Sequence, residues 1–122
     1  MSKHKIFLLV IIIPLTIILI SIITYFAVGV ADSTVAQYVK SVMVSNETIK
    51  ISGTTVNSGE AFTGYSYTIN KDTIYLKLRY SIVNPIHKSG DFNILINNNF
   101  GNIKYIYMQG KKTGDRKLIW TK

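Results

Sequence analysis

The stretch "TIYLKLRYSIV", Thr73 to Val83, alternates without a break. Ile74, Leu76, Leu78, Tyr80 and Ile82 fall on one side, and Tyr75, Lys77, Arg79 and Ser81 on the other. Successive side chains of a strand point to opposite faces, so this is a strand with one face on a core and one toward solvent.

The same period extends in both directions. Upstream, "TIKIS" sets Ile49 and Ile51 against Lys50 and Ser52, and "GYSYTI" gathers Tyr65, Tyr67 and Ile69 on one face. "NKD" at 70–72 is a turn between strands. Downstream, "NPIHKSGD" interrupts the chain, because Pro85 has no N–H for a ladder. "FNILI" then aligns Phe92, Ile94 and Ile96, and "NNNFGN" is a loop whose Asn and Gly residues tolerate left-handed backbone. In "IKYIYMQ", Ile103, Tyr105 and Tyr107 share one face and Ile106 and Met108 the other, the pattern of a central or doubly covered strand. "GKKTGDR" is a charged hairpin turn and "KLIW" a closing strand.

Six or seven short strands with turns every 8–12 residues describe an all-β domain over residues 47–122, a small antiparallel β-sandwich of immunoglobulin-like architecture. The paired cysteines of true immunoglobulin domains are absent, and Trp120 lies in the last strand rather than mid-core.

Ahead of the strands, residues 32–46 read two ways. Val35, Tyr38, Val39, Val42 and Met43 follow helical spacing, with Asp32 or Ser33 as a cap, whereas Val42 and Val44 alternate with Ser41, Met43 and Ser45. The expectation is a short juxtamembrane helix or stalk that turns into a strand around Ser41–Val44.

Earlier still, residues 6–31, "IFLLVIIIPLTIILISIITYFAVGVA", carry no charge. As a helix this run spans roughly 39 Å, against about 30 Å of bilayer hydrocarbon, so a transmembrane helix is expected. Thr16, Ser21 and Thr24 can return their hydroxyls to helix carbonyls, Pro14 is tolerated, and Tyr25 and Phe26 suit the exit interface. Lys3 and Lys5 in the basic start, residues 1–5, precede the run, and Asp32 is the first charge after it. The positive-inside rule then predicts a single-pass protein with a cytoplasmic N-terminus and residues 32–122 outside. Gly29-Val30-Ala31 also offers small residues for a signal peptidase, so the alternative is a secreted cationic β-protein beginning at Asp32. Retention is expected, because the apolar run exceeds the 7–15 residues of a signal core.

The chain has 122 residues, 14 Lys and Arg, 6 Asp and Glu, and no cysteine. Disulfides, thiolate metal sites and cysteine nucleophiles are therefore excluded. Heavy use of Ile, Lys and Asn points to an AT-rich, low-GC Gram-positive bacterial source. The basic excess favours anionic neighbours, either lipid head groups or an anionic wall polymer. Lys111, Lys112, Arg116 and Lys117, around Gly110 and Gly114, form the candidate polyanion-binding cluster. The same residues also suit protection of a sheet edge against pairing with another chain.

Around His87, the one histidine outside the basic start, a hydrolytic triad can be imagined with Ser89 and Asp91, but nothing in their spacing argues nucleophile, base and orienter. The six acids are scattered and mostly in turns, and neither a metal-ligand spacing nor a phosphate-cradling glycine motif is present. The tyrosine pairs Tyr65/Tyr67 and Tyr105/Tyr107 are expected to pack, and to become a ligand platform if one pair is exposed. The reading is a non-enzyme with no cofactor and no nucleic-acid partner. Its expected role is binding, accessory or structural at the bacterial cell surface, with a membrane protein among the partners it could serve.

Overall fold

The computed structural model describes residues 2–122. An apolar helix, α1 (Lys3–Val28), is followed by eight strands: β1 (Val30–Ala31), β2 (Gln37–Val44), β3 (Thr48–Thr55), β4 (Glu60–Asn70), β5 (Thr73–Ile82), β6 (Phe92–Asn97), β7 (Tyr105–Gln109) and β8 (Arg116–Thr121). Strands are the dominant element, and they form two sheets facing each other in a sandwich-like arrangement.

None of the residues of α1 is buried, and the helix is apolar on every side. It is long and apolar enough to cross a membrane, with a mean hydropathy of 3.3 over its best window. The hydroxyls of Thr16, Ser21 and Thr24 donate to the carbonyls of Ile12, Ile17 and Ile20, each at 2.8 Å, as the sequence suggests. The helix stops three residues before the expected boundary at Ala31. Gly29, at φ 73°, takes the left-handed turn that ends it, and its N–H donates to Tyr25 O at 2.8 Å. Val30 and Ala31 then join a sheet.

In the larger sheet β4 pairs antiparallel along the whole of β5. The other edge of β5 is shared: β7 covers Thr73–Lys77 and β1 covers Arg79–Tyr80. β8 pairs with β7 on the outside. The smaller sheet has the order β2-β3-β6. All ladders are antiparallel except β5–β7, which is parallel, so the expectation of a purely antiparallel sandwich is corrected. Immunoglobulin-like connectivity is likewise not established by this strand order. A parallel pair needs a long crossover, and residues 83–104, carrying β6 into the opposite sheet, supply it.

The core is the set that period two selects. Ile49 and Ile51 of β3 and Phe92, Ile94 and Ile96 of β6 pack against Ile74, Leu76, Leu78 and Tyr80 of β5 and Ile106 and Met108 of β7. Tyr65, Tyr67 and Ile69 of β4 sit opposite Leu78, Leu76 and Ile74 and extend the same face toward the rim.

The juxtamembrane helix or stalk expected over residues 32–46 is reduced to a single 3-10 turn, Thr34–Ala36, and β2 begins at Gln37 rather than Ser41. A bulge between Val39 and Ser41 explains the helical spacing. One extra residue, Lys40, keeps both Val39 and Val42 turned inward, three positions apart, although the segment is a strand. Val35, which completed the apparent helical face, is 84% exposed.

The other correction concerns β7. Ile106 and Met108 are buried, but Tyr105 and Tyr107 are on the outer surface of the sheet and carry no covering layer. Tyr107 instead stacks on Tyr75 of β5, with ring centroids 5.7 Å apart and planes at 22°.

Candidate functional site at the helix–sandwich junction

A helix leaves its last four carbonyls without intrahelical partners. In α1 the Tyr25 carbonyl accepts from Gly29 N, and the other three, of Phe26, Ala27 and Val28, are bound by the sandwich. Arg79 Nε donates to Val28 O at 3.2 Å, and the Thr63 hydroxyl donates to the same oxygen. His87 Nε2 lies 2.9 Å from Ala27 O, which selects the tautomer protonated at Nε2. The Asn84 amide and the Ser81 hydroxyl reach Phe26 O at 3.4 and 3.5 Å. In return, Ile82 N donates to the Tyr25 hydroxyl at 3.3 Å.

Two features position these groups. Arg79 and Ser81 stand on the outward side of β5, the side that alternation assigns to solvent, and the last turn of α1 covers it: Ser81 is only 1% exposed. Asn84 and His87 come from the loop after β5. There the Asn84 side-chain oxygen accepts from Ile86 N at 2.9 Å and His87 N at 3.2 Å, closing an Asx turn around Pro85.

Gly29 is confined by the same contacts. A Cβ there would fall 2.5 Å from Thr63 Oγ1 and 2.6 Å from Tyr80 O. The residues that resemble a signal peptidase site therefore serve as a helix stop and as a strand paired to Tyr80 and Arg79.

Beyond β1 the chain is held again. Asp115 accepts from Thr34 N at 3.0 Å and from the Thr34 hydroxyl, and Lys111 N donates to Asp32 O at 3.1 Å. The Thr34 hydrogen bonds hold the Asp115 carboxyl below the usual carboxylate range. Asp32 and Glu60, distant in sequence, come together here. Burial and the neighbouring Asp32 carboxyl push Glu60 above its ordinary value. Tyr80, deep below them and 2% exposed, has its hydroxyl raised by burial and by both carboxylates, and that hydroxyl has no hydrogen-bond partner. Sequence reading treated the acids as scattered, and only the fold joins this pair.

The basic residues are distributed over three settings. Lys111 and Lys112 occupy the β7–β8 turn, with Lys112 beside Asp115. Arg116 lies on the outer face, its Nε 2.8 Å from Gln109 Oε1 and its guanidinium 4.5 Å from the centre of the Tyr75 ring. Lys117 lies on the opposite side of β8. It lines the groove between the β2 and β8 edges with Tyr38, Lys40 and Trp120.

Of the triad residues, His87 is engaged with Ala27, and the Ser89 hydroxyl accepts from Asp91 N at 3.1 Å. No hydrogen bond links His87 to Ser89 or Asp91 among the described residues, and no metal-holding cluster of His, Asp and Glu occurs among them. No family model, curated protein or solved structure matches the chain.

Proposed function

We propose that the chain is a single-pass membrane protein that holds a small β-sandwich outside the cell on a rigid mount and acts there by binding, as an accessory or structural component of the cell surface. The observation that carries this reading is the capping of α1 by Arg79, Ser81, Asn84 and His87. A helix destined for removal has no use for a folded receptor built around its last turn. Removal after Ala31 would take away the α1 carbonyls to which five side chains, Thr63, Arg79, Ser81, Asn84 and His87, are bonded and would strip β1 from β5.

Orientation rests on charge. Lys3 and Lys5 precede the span, and Asp32 follows it, consistent with an inside N-terminus. The anionic partner best supported is lipid head groups. β5 and β7 run parallel, and β5 ends at the helix, so the β7–β8 turn with Lys111 and Lys112 points toward the membrane end of the sandwich. Near an anionic leaflet each such residue contributes about 1 kcal/mol.

Cell fractionation with protease protection tests the proposal. An intact chain in washed membranes, with its C-terminal part digested from outside in whole cells, is the expected result. A soluble mature form starting at Asp32 would establish release instead.

A further inference from the structure

One cluster of exposed apolar side chains lies at the helix end of the sandwich. Ile82, the last residue of β5, and Val83 and Ile86, in the loop that follows it, are 59%, 43% and 62% exposed. Val56, in the adjoining turn, is 64% exposed, and that turn is tied to the loop by Val83 N donating to Gly59 O at 3.0 Å. Apolar groups clustered this way at the surface of a small domain mark a contact.

The loop's height is fixed by the helix. Ile82 N is bound to the Tyr25 hydroxyl, Asn84 to Phe26 O and His87 to Ala27 O. Counting from Ile6, the first residue after the basic start, about 30 Å of hydrocarbon at 1.5 Å per residue is crossed in roughly 20 residues, near Tyr25. The loop is thus bonded to the part of α1 that lies at the outer water–lipid boundary. An aromatic pair, Tyr25 and Phe26, with ring centroids 5.4 Å apart, marks the same depth. Lys88 follows Ile86 and His87 in the same loop, and its long stem can carry charge out to the head groups.

We infer that the end of β5 and the 83–88 loop form an interfacial foot: Ile82, Val83 and Ile86, with Val56 in the adjoining turn, insert into the outer leaflet at head-group depth and seat the sandwich directly on the lipid surface. The occupant is lipid because the patch is hydrogen-bonded to the last turn of an apolar helix none of whose residues is buried by protein. This inference rests on the membrane anchoring proposed above.

The chain has no cysteine, so single-cysteine labelling is direct. The full chain carrying Ile18→Cys, Ile86→Cys or Met43→Cys is labelled with a fluorophore sensitive to polarity. Each is then reconstituted in phosphatidylcholine–phosphatidylglycerol vesicles with spin-labelled lipid. Met43, 63% exposed, lies at the end of the sandwich remote from α1. Expected are blue-shifted, lipid-quenched emission from positions 18 and 86, several-fold more quenched than from position 43, with position 86 most sensitive to a spin label near the head group. An Ile86→Cys label as unquenched as that at position 43, while position 18 stays quenched, would overturn the foot and leave the anchor standing. Loss of quenching at position 18 as well would overturn both.

Discussion

His87 Nε2 lies 2.9 Å from the carbonyl oxygen of Ala27, 60 residues earlier in the chain. The contact ties the loop after β5 to the last turn of α1, and it accounts for the one histidine outside the basic start without invoking catalysis. It also joins the helix to the sandwich, so changes at the join are expected to register as stability.

Gly29→Ala is the sharpest such change. A left-handed conformation at a residue with a Cβ costs roughly 1–2 kcal/mol before any steric conflict, and here the added atom also meets Thr63 and Tyr80. Thermal unfolding of the detergent-solubilised full chain should show at least that loss. A wild-type melting temperature would refute the geometry of the junction.

Asn84→Ala removes the acceptor of the Ile86 and His87 N–H groups and the donor to Phe26 O. Leaving such groups unpaired costs about 1–3 kcal/mol. Asn84→Asp restores the acceptor but sets a negative charge at the negative end of α1. Relative to wild type, it should be more damaging at neutral pH than in acid. Paired chemical-denaturation curves at the two pH values measure this directly.

Two carboxylates are expected to act in opposite senses. Asp115 has a lowered folded value, so its contribution is complete above the unfolded carboxylate value and is lost as pH falls through the folded one. Asp115→Asn should therefore destabilise the protein at neutral pH, with the deficit shrinking in acid. Glu60 has a raised folded value, owing to burial and then to Asp32, so ionising it opposes folding as pH rises. Glu60→Gln should raise the melting temperature at neutral pH and change little in acid. The same sign for both substitutions at neutral pH would contradict the assignment.

Charge reversal separates the basic residues. Lys111→Glu with Lys112→Glu should weaken salt-sensitive association of a soluble 29–122 fragment with anionic vesicles by roughly 1 kcal/mol or more per site. Arg116→Ala should instead reduce stability by about 0.5–1 kcal/mol through loss of its seat on Tyr75, with vesicle affinity less affected. Co-sedimentation and melting curves on the same samples distinguish the two roles.

Starting that fragment at Asp32 rather than Gly29 removes β1 and exposes the β5 edge at Arg79–Tyr80. The shorter fragment is expected to melt lower. Equal stability would return weight to a released form.

The fold is legible wherever a strand has one covered face. The alternation of Thr73–Val83 names the inward residues of β5 from Ile74 to Tyr80 but not Ile82, which is 59% exposed, and the same period selects Ile49, Ile51, Phe92, Ile94 and Ile96. It misleads in β2, where the bulge at Lys40 reproduces helical spacing, and in β7, where tyrosines stacked on an open surface resemble a second core face. The junction leaves almost no local trace. Arg79 and Ser81 occupy the positions of solvent-facing residues, and the carbonyls they bind lie 51 and 55 residues away. Backbone acceptors have no sequence signature, so only the folded chain reveals that this polar side is occupied.

The absence of a loose tether between α1 and the sandwich has a mechanical consequence. With Gly29 the single pivot residue and hydrogen bonds on both sides of it, the sandwich is expected to turn with the helix rather than swivel independently of it. A roll or tilt of the helix sweeps the whole head through the same angle. A pull on the head is likewise delivered to the helix as torque rather than absorbed as slack.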